Sequence, residues 1–256
     1  MPDRDNPDAD KSAADKSDAV KPGLTPDFEP NSANAPMLNH AAWARILPFL
    51  VYLSFIAIVD VLVRLGVPAE QLRWLYAVKI FAVVVTLLMC WRHYKELHSW
   101  DVSPIWAGIA VAAGVVVFVL WIGLDAGWMI IGTPAGFDPR TDGQIDWLMV
   151  AVRIAGAALV VPIMEELFWR SFLLRWLDSF DFQAIDAGKV RMQSVAIAAL
   201  LFGFEHNQWL AGIVAGLAYS VLYMRSRSLW TPILAHAVTN GVLGVWIVLT
   251  AHWEYW

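Results

Sequence analysis

The chain has 256 residues, 59% of them hydrophobic and only 16% charged, with 15 tryptophans and a formal net charge of −5. A soluble domain of this length carries about a quarter charged residues, so the composition excludes an ordinary water-soluble globule and indicates an integral membrane protein. The acidity and the lack of a basic patch argue against nucleic acid as a partner. A single cysteine, Cys90, excludes an internal disulfide and any multi-cysteine metal cluster.

Residues 1–40 hold eight acids and four bases and so carry −4 of the net charge, and they have too little apolar surface to order themselves. They read as a disordered cytoplasmic tail without the basic start, apolar stretch and cleavage site of a signal peptide, which leaves the first span to act as the export signal. Residues 41–256 read as one transmembrane domain. Crossing the hydrocarbon core takes about 20 apolar residues as a helix, and seven stretches are candidates: 43–64, 73–91, 104–123, 145–177, 192–206, 208–225 and 230–250. The expected fold is an all-α polytopic bundle of about seven to eight spans, with the fourth too long for one perpendicular crossing and the fifth short.

With a cytoplasmic N-terminus, the inside loops hold Arg92, Lys95, Arg175, Lys189, Arg191, Arg225 and Arg227, and the outside loops Arg64, Arg73 and Arg140. That bias favours this orientation. The Gly- and Pro-rich stretch from Asp125 to Gln144 is then an external loop. The closing "HWEYW" is expected at the outer interface, where amphipathic rings prefer to lie.

Ionisable groups at membrane depth are costly and are expected to face one another or a wet cavity. The last four spans contain Arg153, Glu165, Glu166, Arg170, Glu205, His206 and His236, with Asn207 and Asn240 as polar company; in the first three the reading finds only Asp60 and Lys79. Chemistry is therefore expected in the second half. Glu166 and Arg170 stand four apart, in the favoured acid-first order for a helical pair, while Glu165 is turned by roughly 100° from Glu166. His236 and Asn240 share a face of the last helix, as Phe202 and His206 do on the fifth.

Two accounts fit these residues. Polar groups can simply hold membrane helices together, as the small-residue pair Gly212 and Gly216 is expected to do by close packing. Alternatively, a carboxylate with bound water and an imidazole makes a general base, while a second imidazole and a carboxamide suit the oxyanion of a tetrahedral intermediate. That set suffices to add water to an amide.

The motifs "EELFWR" (Glu165, Glu166, Arg170), "FGFEH" (Phe202, His206) and "HAVTN" (His236, Asn240) resemble, in order and spacing, the EExxxR, FxxxH and HxxxN pattern of the CAAX prenyl endopeptidase and bacteriocin-processing family. These are intramembrane glutamic proteases, and the resemblance covers roughly residues 145–245. It implies that Glu165 activates water with His206, that His236 and Asn240 form the oxyanion site, and that Glu166 and Arg170 support Glu165. It also implies no cofactor, a membrane-associated protein or peptide substrate, and a multi-pass protein of the bacterial inner membrane. The chain further resembles the subgroup associated with PEP-CTERM protein sorting.

Other readings stay open. Glu165, His206 and His236 could be a His2Glu zinc set, although HExxH is absent. A non-enzymatic immunity or proton-relay protein could use the same buried groups. Straight spans also place His206 at the outer end of the fifth helix and His236 about 9 Å inside the cytoplasmic end of the seventh. The two meet only if the fifth helix starts deeper and "EHNQW" is a turn lining a cavity, or if the orientation is reversed.

Overall fold

The computed structural model describes residues 38–132 and 136–256. The tail expected over residues 1–40 lies outside the described residues up to position 37, as do positions 133–135 of the external loop.

Each candidate span contains a helix. Helix α1 (His40–Arg64) is capped by Asn39, whose side chain accepts from Ala42 N at 2.9 Å. Helix α2 is Leu75–Cys90, and α3 is Pro104–Gly123. Ser103 caps α3, and Pro104 stands in the first turn, where no helical acceptor awaits its missing N–H. The following loop contains a short antiparallel hairpin, β1 (Arg140–Thr141) against β2 (Gln144–Ile145), turned by Asp142 and Gly143 at φ 53° and 80°. Asp146 then caps the 30-residue helix α4 (Trp147–Trp176), accepting from Leu148 N and Met149 N. Helices α5 (Met192–Phe204), α6 (Trp209–Ser226) and α7 (Trp230–Thr250) complete the bundle, and the last two stop at the left-handed residues Arg227 and Ala251.

Among the described residues, five helices are long and apolar enough to cross a membrane: α1, the segment Glu70–His93 around α2, α3, α4 and α7. The other two candidate spans differ for identifiable reasons. Helix α5 has only 13 residues, and α6 is diluted by two tyrosines, two serines and Arg225. The outer surface is apolar, with Leu249, Met89 and Ile105 at 80%, 77% and 74% exposure. In water such a surface would be an aggregation hazard; facing acyl chains it is the solvated face. This is an integral membrane protein built as an all-helical bundle.

Close helix packing follows the small residues. A Cβ on Gly212 would sit 2.8 Å from Gly203 Cα, so α5 and α6 touch backbone to backbone at the Gly212/Gly216 face. Helices α3 and α7 are joined by Thr239 Oγ1, which donates to Gly114 O at 2.9 Å.

At the bundle end where α1 begins, Arg45 is 1% exposed, a residue the sequence reading did not count among its buried charges. Its Nη2 reaches both Glu96 oxygens at 2.6 and 2.7 Å, its Nε donates to Ser171 Oγ at 2.8 Å, and Ser171 Oγ in turn bonds Glu96. This network ties α1 and α4 to the α2–α3 link. Burial pushes the Glu96 carboxyl up, but Arg45 and Ser171 outweigh it and hold it below its ordinary value.

Candidate active site

Helix α4 carries the carboxylates, and it is not a continuous α-helix. Gly156–Val160 and Leu167–Leu173 are π turns on either side of the α-helical Val161–Glu166. Pro162 accounts for the first. Proline has no N–H, and its ring collides with the carbonyl four residues back in an α-helix; a wider π turn relieves that collision. Val161 N bonds to Gly156 O, five residues back. In the same register Ala157 O would take the N–H of residue 162, where proline has none. Asn240 of α7 supplies the donor, with Nδ2 2.8 Å from Ala157 O.

At the other end of this segment, Glu165 and Glu166 are 4% and 0% exposed. Glu166 Oε1 accepts from Arg170 Nη1 at 3.1 Å and lies 2.9 Å from His236 Nδ1. The i,i+4 pair expected from the sequence thus extends to a third member on another helix. A carboxylate only accepts, so with Glu166 ionised His236 carries its proton on Nδ1 and turns Nε2 toward Glu165, whose Oε2 is 4.0 Å away. Tyr219 lies flat against His236, ring centroids 4.9 Å apart at 19°, and donates its hydroxyl to Thr239. Arg170 is sandwiched by Phe202 and Tyr219 at 4.5 and 5.3 Å and donates to Gly216 O at 3.3 Å. Desolvating three ionisable groups together requires such contacts, because a buried charge with a missing partner is strongly destabilising.

His206 stands in the turn after α5. Its Nδ1 is 2.8 Å from Phe202 O, a carbonyl that can only accept, so Nδ1 carries the proton and Nε2 is the basic nitrogen. The ring packs on Phe202 and edge-on to Trp121, with centroids at 4.8 and 5.2 Å. Phe202 also meets the His236 ring edge at 6.3 Å, so one phenyl ring separates the two imidazoles. Helix α5 ends at Phe204, and the turn at 205–208 brings His206 to the same cavity as His236.

Glu165, His206, His236 and Asn240 all line one cavity of about 230 Å³. Glu165 Oε2, although buried, has no hydrogen-bond partner among the described residues. Glu166 and Arg170 stand behind this wall. Among the described residues no group of three His, Cys, Asp or Glu side chains is disposed to hold a metal ion.

Several cavity residues escaped the sequence reading. Tyr219 follows Gly216 by three positions on the face that packs α5, and that spacing was a usable signal. Tyr255 and Trp256 of the closing aromatic stretch also line the cavity, and Phe137 N donates to Trp253 O, joining the α3–α4 loop to this end of the chain. Tyr52, Tyr76 and Arg153 add a further wall.

Glu165 and Glu166 of α4, His236 of α7 and His206 of the turn after α5 gather at one cavity wall, and together they define the class, an integral membrane helical bundle with a polar site. Residues 147–242 match the family model of type II CAAX prenyl endopeptidases, Rce1-like. The match reaches from the start of α4 into α7 and includes all seven motif residues, with α1–α3 outside it. No curated protein and no solved structure matches the chain.

Proposed function

We propose that the protein is an intramembrane endopeptidase of the bacterial inner membrane, hydrolysing a peptide bond near the C-terminus or membrane segment of a protein or peptide substrate by a glutamate-activated water. The supporting observation is that Glu165, His206, His236 and Asn240 share one cavity, with Glu165 Oε2 4.0 Å from His236 Nε2. A water hydrogen-bonded to Glu165 at the edge of that gap is within reach of an imidazole as well.

In this reading Glu165 takes a proton from the water while His206 Nε2 accepts the other O–H and orients it. The water oxygen bonds to the scissile carbonyl carbon, and the resulting oxyanion receives hydrogen bonds from the second Asn240 N–H and from His236 Nε2, which has taken up a proton from solvent in the cavity before the attack. Glu166 stabilises that imidazolium from its far side. Collapse breaks the C–N bond, and Glu165 returns its proton to the leaving nitrogen, yielding a carboxylic acid and an amine that exchange a proton and leave as carboxylate and ammonium. Burial supplies the low dielectric in which these contacts are strongest.

The test uses the purified full chain in detergent with a library of quenched fluorescent peptides ending in apolar residues. Glu165→Gln and His206→Ala should each lose about 10²–10⁴-fold in rate, the usual worth of a general base, while exhaustive chelation leaves the wild-type rate unchanged. Wild-type rates in both variants would falsify the assignment. Loss of activity on chelation, restored by zinc, would replace it with the His2Glu metal site.

A further inference from the structure

Tyr219 of α6 and Thr239 of α7 are buried polar side chains on the cavity wall to which the proposed reaction gives no task. Their hydroxyls form a chain across three helices. Tyr219 Oη donates to Thr239 Oγ1 at 2.8 Å, and Thr239 Oγ1 shares its one proton between Gly114 O of α3 at 2.9 Å and Ala235 O of its own helix at 3.1 Å. Carbonyls only accept, so Thr239 must donate to them and accept from Tyr219. The direction of the chain is thereby fixed, and it ends on backbone that cannot rotate away. Gly114 is what allows the approach: a Cβ there would collide with Ala235 O and stand 2.9 Å from Val238 Cβ, so a larger residue would push α3 off α7.

What this chain holds still is a ring. The phenol of Tyr219 lies on the imidazole of His236 with centroids 4.9 Å apart and planes 19° apart. The other restraints on His236 are the bond from Nδ1 to Glu166 Oε1 at 2.9 Å and the edge of Phe202 at 6.3 Å. One in-plane hydrogen bond leaves an imidazole free to swing about that bond, and a flat neighbour removes the freedom. The phenol can serve as that neighbour only while its own hydroxyl is tied down. The same ring meets the Arg170 guanidinium carbon at 5.3 Å. Removing the ring would therefore disturb two groups, whereas removing only its hydroxyl leaves both ring contacts available.

We propose that Tyr219 and Thr239 are positioning residues for His236: the hydroxyl chain to Gly114 O sets the plane of the phenol, and that plane aims His236 Nε2 at the place where the oxyanion forms. The inference rests on the endopeptidase reading above and deepens it. It also carries the site beyond the residues matched by the protease family, since its anchor, Gly114, belongs to α3. Aim matters more than contact here, because a misplacement of about 1 Å can cost about 10²-fold in rate. The donor acts on charge that develops only in the transition state, so the loss falls on kcat and spares KM.

The experiment separates positioning from packing and from substrate contact. With the full chain in detergent and a cleaved peptide, Tyr219→Phe and Thr239→Val should each lower kcat about 10- to 100-fold and leave KM within about twofold of the wild type. The double variant should lose no more than the worse single one, because both substitutions break the same chain. Thr239→Ser, which keeps the hydroxyl, should recover most of the rate lost by Thr239→Val. Independently of hydrolysis, the His236 ring is followed by NMR of protein carrying ring-labelled histidine, its signal among the six histidines assigned by its loss in His236→Gln. Tyr219→Phe and Thr239→Val should each shift or broaden that signal, while that of His252, stacked on Trp246, stays in place. Unchanged kcat in both single variants, losses that multiply in the double variant, or an unmoved His236 signal would each overturn the positioning role. So would a rise in KM with kcat intact, which would make the two hydroxyls substrate contacts. If the wild type cleaves no peptide, a His236 signal that responds to both substitutions leaves the ring's positioning standing while the endopeptidase reading falls; cleavage with an unresponsive signal does the reverse.

Discussion

Asn240 is assigned two separable tasks, and the backbone of α4 allows them to be measured apart. Its Nδ2 donates to Ala157 O at 2.8 Å because Pro162 cannot. Asn240→Ala removes that bond and leaves the half-buried Ala157 carbonyl on the cavity wall without its side-chain donor. Interhelical hydrogen bonds in membranes average about 0.6 kcal/mol and reach about 1.7, and the loss of a partner by a half-buried acceptor adds to this, so the expected loss is about 1–2 kcal/mol. Pro162→Ala supplies the missing N–H to the same carbonyl. The double variant should therefore recover most of the stability lost by Asn240→Ala, giving a coupling of about 1 kcal/mol in a double-mutant cycle. Reversible denaturation of the full chain in mixed micelles, read by tryptophan fluorescence, gives the four free energies. Hydrolysis should not recover: if Asn240 also serves the oxyanion, both variants lacking it stay about 10²-fold or more below the wild type. Strictly additive stability losses would refute the account of Ala157 O, and a recovered rate would refute the oxyanion role.

Two further outcomes follow from the buried charges. Glu166→Gln leaves the 1%-exposed Arg170 without its counter-charge and replaces the carboxylate shared by Arg170 and His236 with a neutral amide; it should destabilise the fold by about 3–5 kcal/mol and depress the rate in whatever fraction still folds, with thermal unfolding and per-molecule activity as the two readouts. Glu96 has a lowered folded-state pKa, so its stabilising contribution is complete above the unfolded-state value near 4.5 and disappears as pH falls through the depressed folded value. Glu96→Gln should therefore flatten the stability profile on the acid side of that window, and a profile of unchanged shape would remove Glu96 as the cause.

Much of this molecule is legible in the sequence because its solvent is simple. Apolar runs of about 20 residues have few alternatives to a helix, and charges such as Glu165 and His236 are conspicuous there. The spacing of Glu166 and Arg170, and of Gly212 and Gly216, translates directly into helix faces. Hydropathy does not encode where a helix widens, so the π turns around Val161–Glu166, and with them the Asn240–Ala157 bond, were invisible. Nor could straight-span arithmetic join His206 to His236, because it assigns a full crossing to the 13-residue α5. Arg45 was overlooked since one cation near a helix start resembles an ordinary flank; its significance comes from Glu96, 51 residues away.

The widened turns of α4 act as slack in its winding. Each residue added to or removed from an ordinary α-helix rotates everything beyond it by about 100°, whereas a π turn takes up one extra residue within itself. A single deletion within Gly156–Val160 that restored ordinary coiling would therefore leave Glu165 and Glu166 facing their present partners, while the same deletion within the regular turn Val161–Met164 would swing both carboxylates away from the guanidinium and imidazole.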